Sequence, residues 1–337
     1  MLKSQNVRET SQMKFDLPST DEPIGFNAGE LVACPRCRKQ NGPDRTACLY
    51  CGEALPATAR NLDKGVRHLR KLEAWEPAFN LIVLSKAAIA ESDSSNAAKL
   101  LTLDKNVLAS ILDAGSPLPL ARIETEVLAY DAVKRLSDLG LALAVIADSD
   151  LGTDRPPVRL RNLAVEGEQW VLTDFNSGKL IRIDRGRVSL IVTGRIDQTR
   201  RDEVTKRKKG KTKVLDETEV GSDLSLIDLY SASDTIGFRI QTNGFDFSVL
   251  GDEKGRLATE NIERLAVFLK RHCPDAIVAD EYDSVRDQLD EVWEPESRKD
   301  VQGLQLRSAG KHEFGATYTT SNLSQFTKYS RMRRLLI

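Results

Sequence analysis

Cys34-Pro-Arg-Cys37 and, ten residues further on, Cys48-Leu-Tyr-Cys51-Gly52 are the two stretches from which this chain is best read. Two residues between cysteines let both thiolates of one turn point at a single ion, and two such turns complete a tetrahedral four-sulfur shell. Pro35 and Gly52 suit the tight turns this requires. The intervening segment is long enough for a small hairpin. Zinc is the expected ion, with iron as the metal alternative for four thiolates. So short a segment cannot bury a core of its own, so metal is expected to hold it together. A closed four-sulfur shell leaves no open position, which makes the ion structural and not catalytic. Four of the five cysteines lie in this window. In a reducing compartment such clustering favours metal over disulfides.

Around this centre the chain has 337 residues, 40% hydrophobic and 29% charged, with a net charge of −1. At about 100–200 residues per domain, that length predicts two or three domains. The balanced charge gives the whole chain no preference for nucleic acid or anionic lipid, so any such preference must be local. The longest apolar stretch, Leu141–Ala147, is far short of the roughly 20 residues of a membrane span. Residues 1–32 are polar, read as a disordered tail, and lack the apolar core of a signal peptide. These features predict a cytoplasmic protein. Residues 33–55 form the cysteine module. Residues 56–77 form a basic linker in which Leu62, Val66, Leu69 and Leu72 keep the spacing of a short helix.

Residues 78–151 follow an α/β pattern, strand, helix, helix, strand, helix, strand. Asn80–Leu84, Leu118–Ile123 and Leu141–Ile146 are the strands. Thr125–Leu139 is the clearest helix, with Ala129, Ala132, Val133 and Leu136 on one stripe and Gly140 as its stop. Residues 157–273 change period. Seven strand-like runs are separated by turn signals such as Asn176-Ser-Gly178 and Asn243-Gly244, and one amphipathic helix from Thr259 to about Cys273 closes the region. Residues 274–337 have weak periodicity and are expected to form an extension and tail. The fold class expected is a multidomain α+β protein with a small βααβαβ domain and an antiparallel β sandwich or barrel capped by a C-terminal helix.

The cysteine module resembles the small zinc ribbons of many bacterial proteins. Residues 78–151 resemble the C-terminal domain of the ribosomal stalk protein, a fold shared with the Clp-protease adaptor, on Leu112-Asp-Ala-Gly115, Pro117 and the run Thr125–Gly140 followed by the strand Leu141–Ile146. That fold serves elsewhere as a binding module. The stalk protein's factor-binding lysines have few counterparts here, chiefly Lys99 and Lys105, so its factor-binding role is not implied. The seven strands and closing helix resemble a pleckstrin-homology-like domain, without the basic pattern of its lipid-binding members.

One charge feature stands out between two of the strands. Arg200, Arg201, Lys206, Arg207, Lys208, Lys209, Lys211 and Lys213 fall in a single run. Such a run is expected to be a loop, either a solvated hairpin tip or a phosphate-attracting surface, and it has no aromatic residue for base stacking. Near the end of the chain, Phe326, Tyr329 and Met332 keep helical spacing beside basic residues, as a peptide docking on a partner would. Catalysis has no comparable signal. His68, His272 and His312 are scattered, no phosphate loop or nucleophile elbow occurs, and Cys273 falls at a helix C-terminus that disfavours a thiolate. The sequence therefore predicts a non-catalytic adaptor or regulatory protein with Zn2+ and an unidentified protein partner. The alternative is a peripheral binder of anionic membrane or nucleic acid.

Overall fold

The computed structural model describes residues 26, 28–56, 58, 69–208, 211–232, 236–308 and 311–337. Residues 1–25 and most of the expected linker helix lie outside them. The chain divides into two compact units, Met1–Asn61 and Leu62–Ile337. In the first unit, β1 (Val32–Ala33) pairs antiparallel with β2 (Gln40–Asn41), and the cysteines flank this short ladder.

The second unit is mixed α+β. It begins with β3 (Phe79–Val83), α1 (Glu91–Leu101), α2 (Lys105–Asp113), β4 (Leu118–Ile123), α3 (Glu126–Ser137) and β5 (Leu143–Ala147). Local chemistry sets these boundaries. Asp104 caps α2 by accepting from Asn106 N at 2.7 Å, and the Thr125 hydroxyl caps α3 by accepting from Leu128 N at 3.3 Å. The three strands form an antiparallel sheet in the order β4-β3-β5. A short α4 (Asp148–Leu151) leads out of it.

The larger sheet has nine strands and is curled. Its members are β6 (Val158–Glu166), β7 (Gln169–Asp174), β8 (Leu180–Asp184), β9 (Val188–Lys208), β10 (Lys211–Ser231), β11 (Phe238–Gln241), β12 (Ile277–Ala279), β13 (Glu296–Ser308) and β14 (Lys311–Ser321). The order is β13-β14-β9-β10-β11-β6-β7-β8, with β12 beside the start of β9. The antiparallel expectation needs correction here, because β11 runs parallel to β6 and β12 parallel to β9. α5 (Ala258–His272) carries the chain from β11 back to the edge of β9, and a helical crossover of this kind joins parallel strands. Residues 245–250, strand-like in sequence, instead enter a 3-10 turn from Phe247.

The first half of β9 and the last half of β10, which pair with each other, are covered on both faces. Alternate residues Leu190, Val192, Ile196, Leu226 and Tyr230 face one apolar cluster, which also holds the three-stranded sheet and its helices. Ile191, Ile227 and Leu229 face a second cluster closed by Ile262, Leu265 and Leu269 of α5. Period-2 alternation thus feeds two cores from one pair of strands. Residues 78–151 share no strand pairing with the larger sheet, yet they share the first cluster with it.

Residues 274–337 form defined elements where the sequence suggests a loose extension. α6 (Tyr282–Leu289), β13, β14 and α7 (Leu323–Leu335) complete the first cluster and extend the sheet. α7 escapes sequence detection because its buried surface is partly polar. Gln325, Thr327, Ser330 and Arg331 are buried beside Phe326, Tyr329 and Met332. Each finds a partner, so no apolar stripe is needed. Gln325 Nε2 donates to Trp293 O at 2.9 Å, Tyr230 and Ser330 hydroxyls lie 2.8 Å apart, and Arg331 Nη2 donates to Arg155 O at 3.0 Å.

Candidate metal centre

The two cysteine turns are built by backbone bonds. Cys34 N donates to Lys39 O at 3.0 Å, and Arg38 N donates to Cys34 O at 2.9 Å, with Arg38 itself at φ 59°. In the second turn Cys48 N donates to Glu53 O at 2.8 Å, and Gly52 N donates to Cys48 O at 3.0 Å. Gly52 stands at φ 74°, a conformation glycine adopts without steric penalty. β1–β2 and the Ala47–Ala54 bridge fix the turns against each other.

The four sulfurs lie within 4.8 Å of one another, with Cys34 Sγ to Cys51 Sγ and Cys37 Sγ to Cys48 Sγ both at 3.5 Å. A tetrahedral shell with metal–sulfur bonds of about 2.3 Å has edges of about 3.8 Å. The residues therefore fit a metal ion. Cys34 and Cys48 are buried, and Leu55 packs beneath them. Sulfur charge is also met by hydrogen-bond donors. Cys37 N approaches Cys34 Sγ, Tyr50 N approaches Cys48 Sγ, and Asn41 Nδ2 approaches Cys48 Sγ, each at 3.5 Å. Burial opposes the Cys48 thiolate, but the amides of Tyr50 and Cys51, then Cys37 and Asn41, outweigh it and bring the thiol down to about 6. The Glu53 amide favours the Cys51 thiolate, but burial and the neighbouring cysteines push that thiol up to about 12. A cation between sulfurs this close would let them carry negative charge together.

Asn41 is the residue that sequence inspection misses. It is buried, donates to Lys39 O at 2.9 Å, and accepts from Leu49 N at 2.9 Å, tying one turn to the other. Asparagine is so common in turns that nothing marked it beforehand. Among the described residues this is the one group of three or more histidine, cysteine or acidic side chains that could hold a metal.

The basic run is not a loop. Arg200, Arg201, Lys206, Arg207 and Lys208 belong to β9, and Lys211 and Lys213 to β10, while Lys209 lies outside the described residues. Alternating charge on both faces hid this strand, because a ribbon wetted on both sides shows no apolar period. Beyond the cores, β13, β14, β9 and β10 continue as a four-stranded antiparallel arm. Both faces are open to solvent, as at Arg200, Arg201, Val220 and Val301. Cross-strand pairs hold it, such as Arg201 Nε to Glu217 at 2.8 Å and the Thr317 hydroxyl to Asp202 at 2.6 Å. Register sets Lys206 opposite Lys213 and Lys208 opposite Lys211, with Glu313 on the other side of Lys206.

Phe326, Tyr329 and Met332 do come together, on α7, but inside the first apolar cluster. Beside them Arg239 grips Asp228 with two bonds of 2.7 Å, donates to Thr327 Oγ1 at 3.0 Å, and lies over the Phe326 ring at 5.2 Å. Lys328 is half-buried, while Arg333 and Arg334 bond Tyr329 Oη and Ala232 O. Of the histidines, His272 stacks on Phe268 with its Nδ1 2.9 Å from Phe268 O, and His68 lies outside the described residues. Cys273 is buried under Trp170, whose Nε1 donates to the sulfur at 3.3 Å, and burial pushes its thiol up.

Compared with protein families, with curated proteins and with solved structures, the chain gives no match. No helix among the described residues is long and apolar enough to cross a membrane.

Proposed function

We propose that this is a non-catalytic cytoplasmic adaptor or regulatory protein. Its first unit is a zinc ribbon closed by one Zn2+ on Cys34, Cys37, Cys48 and Cys51, and its second unit offers the β-arm to a partner protein. The carrying observation is the arm itself. Four strands extend beyond both cores with exposed faces, and among the described residues the outer edges of distal β10 and β13 are unpaired. Such edges accept an added strand through main-chain hydrogen bonds, while alternate side chains provide selectivity. The zinc serves as a staple, since four thiolates leave it no site for substrate. The element order of residues 78–151 supports the likeness to the stalk-protein domain. The pleckstrin-homology likeness finds no support, because the sheet has nine strands, is mixed and carries the arm.

The test compares the intact chain with one in which both hairpins are shortened, joining Arg200 to Val220 and Lys299 to Tyr318, positions already paired across the strands. Partners cross-linked by the intact chain should be lost from the shortened one, and their complexes should persist at high salt. Equal capture by both chains would refute the arm as the contact surface.

One observation favours a second reading, binding to anionic membrane or nucleic acid. Lysines set directly opposite each other, as in the pairs 206/213 and 208/211, destabilise a ladder, and a polyanion relieves that repulsion. Neutralising Lys206, Arg207, Lys208 and Lys209 together should abolish weak retention on heparin or anionic vesicles at low salt, since each contributes about 1 kcal/mol. Folding stability should stay the same or rise by a few tenths of a kcal/mol. Retention that survives high salt and discriminates nucleotide sequence would sink the adaptor reading.

A further inference from the structure

A cavity of about 320 Å3 lies within the second unit, between residues 69–74, the end of α1, β4, the segment after α6, and α7. That volume is at the lower end of the about 300–1,000 Å3 typical of small-molecule sites. Its inner wall is apolar, formed by Leu69, Leu72, Leu101, Leu120 and Trp293, all buried.

Four cations line this cavity, and three of them are engaged. Arg70 bonds Glu76 at 2.7 Å and Glu124 at 3.1 Å, Lys71 bonds Glu294 at 2.7 Å, and Arg122 bonds Asp148 at 2.9 Å and the carbonyls of Glu73 and Glu76. Lys328 of α7 is the fourth. It has no hydrogen-bond acceptor and no ion-pair partner among the described residues. Burial first, and then the Arg122 guanidinium, pushes its amine down, against the weaker pull of Asp148 and Glu296. The Arg122 Nε is also buried without a partner. The wall's three glutamates, Glu73, Glu291 and Glu294, are exposed. Negative charge on the wall is thus at the solvent side, while Lys328 is half-buried in the same lining as the apolar side chains.

A half-buried ammonium with no bonded counter-charge opposes folding, and a methionine at the same place would fill the space without that cost. The cavity supplies room for a bonded counter-charge that Lys328 lacks among the described residues, and apolar walls to hold what carries it. We propose that this cavity binds a small amphipathic monoanion, a carboxylate head on Lys328 and a hydrocarbon body against Leu72, Leu101, Leu120 and Trp293. Arg122 adds positive potential beside the head while remaining tied to Asp148. The site is separate from both the cysteine centre and the arm, so it stands or falls independently of the adaptor reading.

Calorimetric titration of the full chain with sodium octanoate tests this, with octanol and octylammonium as neutral and cationic probes of matched body. Octanoate should bind at least tenfold more tightly than either. Lys328→Met should weaken octanoate at least tenfold and bring it level with octanol, while the melting temperature holds or rises. Equal affinity for octanoate and octanol in the unaltered protein would overturn the proposal, and so would full octanoate affinity in Lys328→Met. Leu72→Trp, which fills the cavity and leaves Lys328 in place, covers the case in which the lysine variant fails to fold. It should lose octanoate, and unchanged affinity there would equally overturn the site.

Discussion

Replacing Asp228 by asparagine should test how the C-terminal helix is held to the sheet. Asp228 and Arg239 are side chains 1% and 5% exposed, joined by two bonds of 2.7 Å. Asparagine keeps the shape but removes the charge, leaving a buried guanidinium with one amide oxygen, Thr327 Oγ1 and the Phe326 ring. Breaking a buried pair by altering one partner costs about 3–5 kcal/mol. The residual contacts put the expected loss at the lower end, about 3 kcal/mol. At about 2–4 °C per kcal/mol, the melting temperature falls by roughly 6–12 °C. Urea unfolding followed by tryptophan fluorescence reads it directly, because Trp170 and Trp293 are both buried in this unit. The double change Asp228→Leu with Arg239→Met should recover most of the loss, since an apolar pair of similar volume often does as well as a buried ion pair. A loss below 1 kcal/mol for Asp228→Asn alone, or a double variant no better than the single, would refute the reasoning.

Freshly purified protein should contain one zinc per chain, with metal–sulfur distances of about 2.3 Å by X-ray absorption, and Cys51→Ser should lower its zinc retention at least tenfold; metal-free protein with unchanged protease resistance across residues 33–55 would count against the site. Gly194→Ala should cost about 1–3 kcal/mol by overpacking, because a Cβ there would meet Phe326 at 2.6 Å and Tyr282 at 2.7 Å, and a neutral result in thermal unfolding would show that α7 yields. Arg70, then the Glu73 amide, hold the Glu76 carboxyl down to about 2 from its ordinary 4.5. A depressed carboxylate contributes fully above its ordinary value and loses that contribution as pH falls through the depressed one, so the stability gap between the protein and Glu76→Gln should close between pH 4.5 and pH 2, and a gap that ignores pH would exclude this ion pair as its source.

The parts legible in sequence were those specified locally. The cysteine spacing announces its own geometry, and the Thr125 cap with Gly140 after it delimits α3 almost to the residue. β4 was read correctly because Leu118–Ile123 is bounded by turn residues and mostly buried. What escaped was specified by distant partners. The outer arm has no apolar alternation, since its faces meet water, and its pairing is fixed by β14, over a hundred residues away from β9 in sequence. α7 was read as a partner-seeking peptide because its aromatic residues have helical spacing, and nothing local revealed that Tyr230 and Arg239 would partner Ser330 and Thr327 between them. Lys328 is one of the basic residues beside that spacing, and its place in a cavity wall shows only when five separated segments come together.

The continuity of β9 also has a mechanical meaning. Gln198–Lys208 extends about 35 Å at about 3.3 Å per residue and is bonded along both edges for most of that length. A tilt of about 5° therefore carries the far end through about 3 Å. The same strand is clamped at Gly194, where Phe326 and Tyr282 leave no room for a methyl group, so a tilt would turn about that point. Anything that pulls on the arm acts as a load on a lever, and the helix that closes the core takes the thrust.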